Sequence, residues 1–221
     1  FSDVQIGRLY NKTELEIRDE RKKRSIYPAF KVVDTCAAEF VAETPYCYST
    51  YEVENEIEPL QGKKIIIFGG TSGIGEAATK IMSDKGAAEI IAISRNPDKM
   101  TNVPENVTLE KIDVLDEEAL KSFFKNQGEF DVLINCATGG TRAVGPFLKM
   151  DLEGYRSSFA KLWGYTNVVR YGTEYLANNG NIVLVSGSPA RKCRPGQIAI
   201  SSVGGAVEAF ARGIAPEIAP K

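Results

Sequence analysis

A short, unbroken apolar run at 65–68 ends in Gly69-Gly70-Thr71-Ser72-Gly73-Ile74-Gly75, and a helix-forming stretch follows over 76–85. A continuous run, unlike an alternating one, belongs to a strand covered on both faces. Gly69, Gly73 and Gly75 allow a tight turn and the close backbone approach that a pyrophosphate requires. The N-terminus of the following helix directs amides and partial positive charge at phosphate oxygens. The strand–loop–helix order therefore reads as a dinucleotide-binding turn, against a plain tight turn as the simpler reading of the same residues.

Further apolar runs predict strands over 90–93, 108–112, 132–135 and 182–185, and helical patterns cover 117–126, 152–175 and 201–214. Strands alternating with helices predict an α/β fold, a doubly wound parallel sheet of Rossmann type. The end of the second strand selects between dinucleotides. An acid about 20 residues past the glycines holds a ribose 2′-hydroxyl, whereas an arginine there accommodates a 2′-phosphate. Counting from Gly75 reaches Arg95, within Ser94-Arg95-Asn96, and Thr71 is placed to add a hydroxyl. NADP(H) is the expected cofactor.

Composition removes several chemistries. The chain has no histidine, which excludes Ser-His-Asp and Cys-His catalysis and zinc sites with histidine ligands. Cys36, Cys47, Cys136 and Cys193 show no metal-ribbon or redox-pair spacing, so free thiols in a reducing cytoplasm and no metal site are expected. With 27 basic and 29 acidic side chains the net charge is −2, which gives no electrostatic case for nucleic acid or an anionic membrane. No stretch approaches the roughly 20 apolar residues of a membrane span.

Residues 1–60 differ in character from 61–221. Ser2-Asp3-Val4-Gln5 and Thr13-Glu14-Leu15-Glu16 carry the capping-box pattern, so two short helices are expected, with the charged run 18–24 as a solvated face. An extended segment is expected at 30–33 and an acidic linker at 52–59. This piece is too small to bury a convincing core by itself. The chain begins at Phe1 and ends at Lys221 directly after a helix-like run, as a piece of a longer chain would.

Residues 63–221 resemble the short-chain dehydrogenase/reductase family. The likeness is carried by the glycine loop, by Asp113-Val114, by Asn135-Cys136-Ala137-Thr138, by Leu162-Trp163-Gly164, by Arg194-Pro195-Gly196 and by Ala206-Val207-Glu208-Ala209, all in family order. It implies hydride transfer between NADP(H) and a small carbonyl or alcohol. The implied cofactor residues are Gly69, Thr71, Ser72, Gly73, Ile74, Gly75, Ser94, Arg95, Asn96, Asp113, Val114, Asn135, Cys136 and Ala137. The family's Tyr-x-x-x-Lys pair falls on Ile200 and Gly204, its serine on Gly187 between Ser186 and Ser188, and its asparagine on Lys161. Two readings stay open. Lys161 supplies the proton with Ser186 or Ser188 polarising the carbonyl, or the domain binds nucleotide without turnover.

Residues 1–58 resemble a different family, the large chain of carbamoyl-phosphate synthase. Phe1-Ser2-Asp3, Lys31-Val32-Val33-Asp34-Thr35-Cys36-Ala37-Ala38-Glu39-Phe40 and Tyr48-Ser49-Thr50-Tyr51-Glu52 match the end of its helical oligomerisation region. The ATP-grasp halves are missing, so packing or assembly is the implied role. Family habit and this scaffold-like start both imply a homo-oligomer.

Overall fold

The computed structural model describes residues 2–32, 47–51 and 60–219. The chain forms two compact units, Phe1–Pro59 and Leu60–Lys221. In the first, α1 (Asp3–Tyr10) and α2 (Glu14–Lys23) both start on the reciprocal caps that the sequence shows. Gln5 N donates to Ser2 Oγ while Ser2 N donates to Gln5 Oε1, and Thr13 N donates to Glu16 Oε2 at 2.7 Å. Asn11, in the left-handed region at φ 53°, closes α1.

The charged run is not wholly solvated. Arg21 forms a two-pronged bond to the buried Asp3 carboxylate, Nε to Oδ1 and Nη2 to Oδ2, both 3.0 Å. Its guanidinium also lies 5.7 Å from the Tyr51 ring centre. β1 (Ala29–Val32) pairs antiparallel with β2 (Cys47–Thr50). The extended segment thus starts one residue earlier than expected; Val33, Cys36 and the expected linker at 52–59 lie outside the described residues.

The second unit holds a five-stranded parallel sheet in the order β5-β4-β3-β6-β7. Its elements are β3 (Lys64–Phe68), α3 (Gly73–Asp84), β4 (Glu89–Ser94), β5 (Val107–Lys111), α4 (Glu117–Gln127) and β6 (Phe130–Asn135). α5 (Leu152–Ser158), α6 (Ala160–Gly172), β7 (Leu176–Leu184) and α7 (Ile198–Ile218) follow. The apolar run of β3 is continuous because alternate side chains enter different cores. Ile66 and Phe68 join Phe124, Leu133 and Val168, while Ile65 and Ile67 join Ala87, Ile90 and Ile134. Chain order leaves β3 outward through β4 and β5, then returns to β6 on the other side. The strand order therefore reverses between β3 and β6, where an open α/β sheet forms its ligand crevice.

Three boundaries depart from the sequence pattern. The expected helix over 152–175 is two helices and a 3-10 turn (Thr173–Tyr175). At the break, Ser158 Oγ donates to Gly154 O and to Thr141 O, and Phe159 N turns to Arg156 O. Serine hydroxyls compete there with the helical ladder, and the 139–141 loop packs against the freed backbone. β7 starts six residues before the expected 182, through a register shift opposite Phe130/Val132 at which Asn179 takes φ 66°. α7 runs from Ile198 past Pro216, and its mean hydropathy of 1.3 over an 18-residue window makes it long and apolar enough to cross a membrane. The sequence reading excluded any such stretch; 22% of that window is buried, where Ala199, Val203, Gly204 and Val207 face the unit's interior.

Candidate functional site

The carboxyl ends of the five strands open into a cavity of about 600 Å³, within the size range of small-molecule sites. The glycine loop forms its floor. Gly69 takes φ +75°, and a Cβ there would lie 2.7 Å from Ala137 N; a Cβ on Gly75 would lie 2.1 Å from Gly69 O. Only glycine lets α3 start this close to the end of β3. Thr79 Oγ1 bonds both Gly70 O (2.9 Å) and Gly75 O (3.0 Å). Gly73 faces open space, and Ser72 caps α3 without any side-chain bond, so the first amides of a 12-residue helix have no side-chain acceptor. Ser72, Gly73, Ile74 and Gly75 line the cavity. These residues fit a dinucleotide's phosphates.

Beyond β4, Ser94, Arg95 and Asn96 line the same cavity. Thr71 also lines the cavity, but it is almost wholly buried and its hydroxyl proton is engaged: Oγ1 donates to Ser94 Oγ at 2.7 Å. It fixes Ser94, which also accepts from Asn96 N. Arg95 is exposed, and its Nη2 donates to Thr138 O at 3.5 Å. Asp113 turns the chain after β5 through Oδ1, which accepts from Leu115 N, and Val114 packs where a Cβ on Gly164 would come within 2.5 Å.

Past β6, Cys136 and Ala137 line the cavity but Asn135 does not. Asn135 is fully buried; its Oδ1 accepts from Ala137 N at 3.0 Å, and its Nδ2 finds no partner. It shapes the turn from beneath instead of meeting a ligand. Burial pushes the Cys136 thiol up, with Lys161 acting against that shift.

Lys161 lies in the first turn of α6. Its Nζ donates to Val185 O at 2.9 Å, just past β7, and sits 5.2 Å from the Tyr165 ring centre. Tyr165 OH donates to the same carbonyl at 2.9 Å, and burial pushes this phenol up. Burial, with help from Arg142, holds the Lys161 ammonium below the usual lysine range. Ser186 lines the cavity and its Oγ donates to Gly204 O at 3.2 Å, whereas Ser188 is exposed and stands outside the lining. A Cβ on Gly204 would meet Ala190 Cβ at 2.9 Å and Ser186 Oγ at 3.1 Å, so the family's lysine position has been filled by neighbours.

Sequence reasoning missed Lys99, Thr138 and Arg142, all in the lining. The one local signal for Arg142 is the pair Gly139-Gly140 ahead of it, which marks a loop that comes close to other backbone. Among the described residues, Arg95, Lys99, Arg142 and Lys161 thus share one cavity with a single acid, Asp113, and none of the four forms an ion pair.

The family model described as short chain dehydrogenase matches residues 63–221. A Burkholderia cenocepacia short chain dehydrogenase solved in complex with NADP superposes with a TM-score of 0.67 at 24% identity, over 74% of this chain and 69% of that one. A small-chain dehydrogenase in complex with NADPH gives 0.57 at 25% identity, over 72% and 67%. The likeness to carbamoyl phosphate synthase large chain is also found. The Deinococcus radiodurans protein is 53% identical over 77 residues, which are 34% of this chain and 8% of that one. The C-terminal section from Methanocaldococcus jannaschii is 35% identical over 172 residues, 70% of this chain and 28% of that one. The chain therefore spans a small part of these relatives, and the 77-residue match is longer than the 59-residue first unit. By the parallel sheet, the cavity at its carboxyl edge and the family match over most of its length, the chain belongs to the short chain dehydrogenase family.

Proposed function

We propose that the second unit is an NADP(H)-dependent oxidoreductase that interconverts a carbonyl and an alcohol with a lysine as its acid–base group. One observation carries this reading: the Lys161 ammonium, bonded to Val185 O, faces the same cavity as the glycine loop. When bound, the nicotinamide supplies the hydride for reduction or accepts it in the reverse direction. Arg95 would hold the 2′-phosphate by charge-assisted bonds, the open amides of α3 would hold the pyrophosphate, and Asp113 and Val114 would border the adenine end.

In reduction, Lys161 gives its proton to the oxygen of the carbonyl as that oxygen becomes an alkoxide. The neutral amine that remains is the form favoured by burial, and water at the cavity mouth restores its proton. Ser186 polarises the carbonyl by exchanging its bond to Gly204 O for one to the substrate. Tyr165, bonded to Val185 O beside Lys161, orients the acceptor that holds the lysine. The reading includes a cytoplasmic homo-oligomer, supported by free thiols at Cys136 and Cys193 and by the apolar α7.

A second reading, nucleotide binding without turnover in an assembly related to carbamoyl-phosphate synthase, is favoured by Ile200 and Gly204 at the usual Tyr and Lys positions. NADPH oxidation over a carbonyl panel separates the two. Lys161→Met should lower kcat about 10²–10⁴-fold while NADPH affinity holds. Turnover that is indifferent to this change defeats the lysine mechanism, and binding without any turnover favours the second reading.

A further inference from the structure

We propose that Arg142 and Lys161 form an oxyanion subsite at the β7 end of the cavity, which takes a carboxylate or phosphate group of the substrate. Calling the occupant a substrate rests on the function proposed above; the subsite itself rests on the geometry.

The loop carrying Arg142 is pinned across the junction of α5 and α6. Thr141 Oγ1 and Ser157 Oγ are 2.7 Å apart, Ala143 N donates to Ser158 Oγ at 3.0 Å, and Ser158 Oγ donates to Thr141 O. A Cβ on Gly140 would lie 2.3 Å from Ser157 O and one on Gly139 2.7 Å from Ala160 O, so the loop lies directly on the helix backbone. Arg142 is thereby held beside the α5–α6 junction, just ahead of Lys161 in the first turn of α6, and both side chains line the cavity. Facing the same cavity, the Arg142 charge works with burial against the charged form of Lys161.

Among the described residues neither cation has an acid. Lys161 donates to one neutral carbonyl, Arg142 has no hydrogen bond or ion pair among the described residues, and the only carboxylate in the lining, Asp113, follows the opposite edge strand. Two like charges beside a low-dielectric wall raise each other's cost, and an oxyanion between them removes it. The guanidinium fork suits such a group, since it offers two parallel N–H bonds to carboxylate or phosphate oxygens.

This place is distinct from the one offered to the cofactor's 2′-phosphate. Arg95 follows β4 and Val185 follows β7, three strand positions apart in the sheet order. At ~4.8 Å per strand the separation is ~14 Å. A substrate whose oxyanion lies between Arg142 and Lys161 leaves one further Lys161 N–H for a neighbouring carbonyl oxygen, which fits an oxo acid or a phosphorylated carbonyl compound.

Calorimetric titration of the full chain with malonate, and separately with inorganic phosphate, tests this with and without saturating NADP+. The wild type should bind at least one of the two, and which one binds identifies carboxylate or phosphate as the preferred group. Binding should persist with NADP+ present, weaken at least tenfold in Arg142→Gln and stay within twofold in Arg170→Gln, an exposed arginine of α6 that does not line the cavity. Arg142 is exposed, so its replacement leaves the fold intact, as an unchanged melting curve would show. Displacement of the anion by NADP+, equal losses in both variants, unaltered binding in Arg142→Gln, or no binding of either anion would overturn the subsite. If NADP+ itself fails to bind, the cofactor reading falls, while the comparison of the two variants without it still decides the subsite.

Discussion

Replacing Gly75 by alanine sets two effects of opposite sign against each other. Gly75 is helical, and in a helix alanine is favoured over glycine by about 1 kcal/mol. The added methyl would stand 2.1 Å from Gly69 O, 2.7 Å from Gly69 C and 3.1 Å from Gly70 Cα, where ordinary contact begins at 3.4 Å. All three are backbone atoms, so no rotamer change relieves the clash and α3 must move by ~1 Å from the end of β3. Overpacking of this kind costs ~1–3 kcal/mol or more, and the shift also strains the two Thr79 bonds, each worth ~1 kcal/mol. The net loss is ~3 kcal/mol, which for a unit of this size lowers Tm by ~6–12 °C. Gly73→Ala is the control: its φ is +55° and nothing lies within 4 Å, so only left-handed strain of ~1–2 kcal/mol applies. Melting curves followed by circular dichroism should place Gly75→Ala well below Gly73→Ala. Equal melting temperatures, or NADPH affinity unchanged in Gly75→Ala, would refute the argument that the loop packs this tightly.

Two further predictions concern titrating groups. The Arg21 guanidinium beside Asp3 holds its carboxyl below 3.8, so this pair stabilises the first unit at pH above 3.8 and the contribution disappears as pH falls through the lower folded value. Asp3→Asn should remove that part of the acid dependence of helix content, and an identical acid transition would contradict it. Lys161 behaves oppositely: its folded value lies below 10.5, so the unfolded chain binds more protons between the two and stability rises with pH across that interval. Lys161→Met should flatten this rise and gain about 1 kcal/mol near neutrality, since Tyr165 OH keeps Val185 O bonded; urea melts across that pH range would show it.

What was legible in the sequence was local. The helix caps at Ser2 and Thr13 need only a hydroxyl and an acceptor three residues apart. The buried strands show themselves because β3 and β4 are covered on both faces and so carry uninterrupted apolar residues. The helix break at Phe159 was hidden because its cause lies in the distant loop at 139–141. The early start of β7 depends on a register shift against β6 that no run of residues announces. Within the site, Thr71 and Asn135 spend their oxygens on neighbours two to 23 positions away, and Ser188 turns outward at the start of a 3-10 turn. Arg142 reaches the cavity through tertiary contacts, and the pair Gly139-Gly140 ahead of it marks only a close-packed loop, not a cavity residue.

The central claim is that the carboxyl edge of the sheet holds NADP(H), with Arg95 on the 2′-phosphate. Fluorescence titration of the folded chain with NADPH and with NADH tests it most directly. NADPH should bind at least tenfold more tightly, with the preference lost in Arg95→Gln. Failure of the folded protein to bind either nucleotide, or equal affinity for the two in the wild type, would contradict the account.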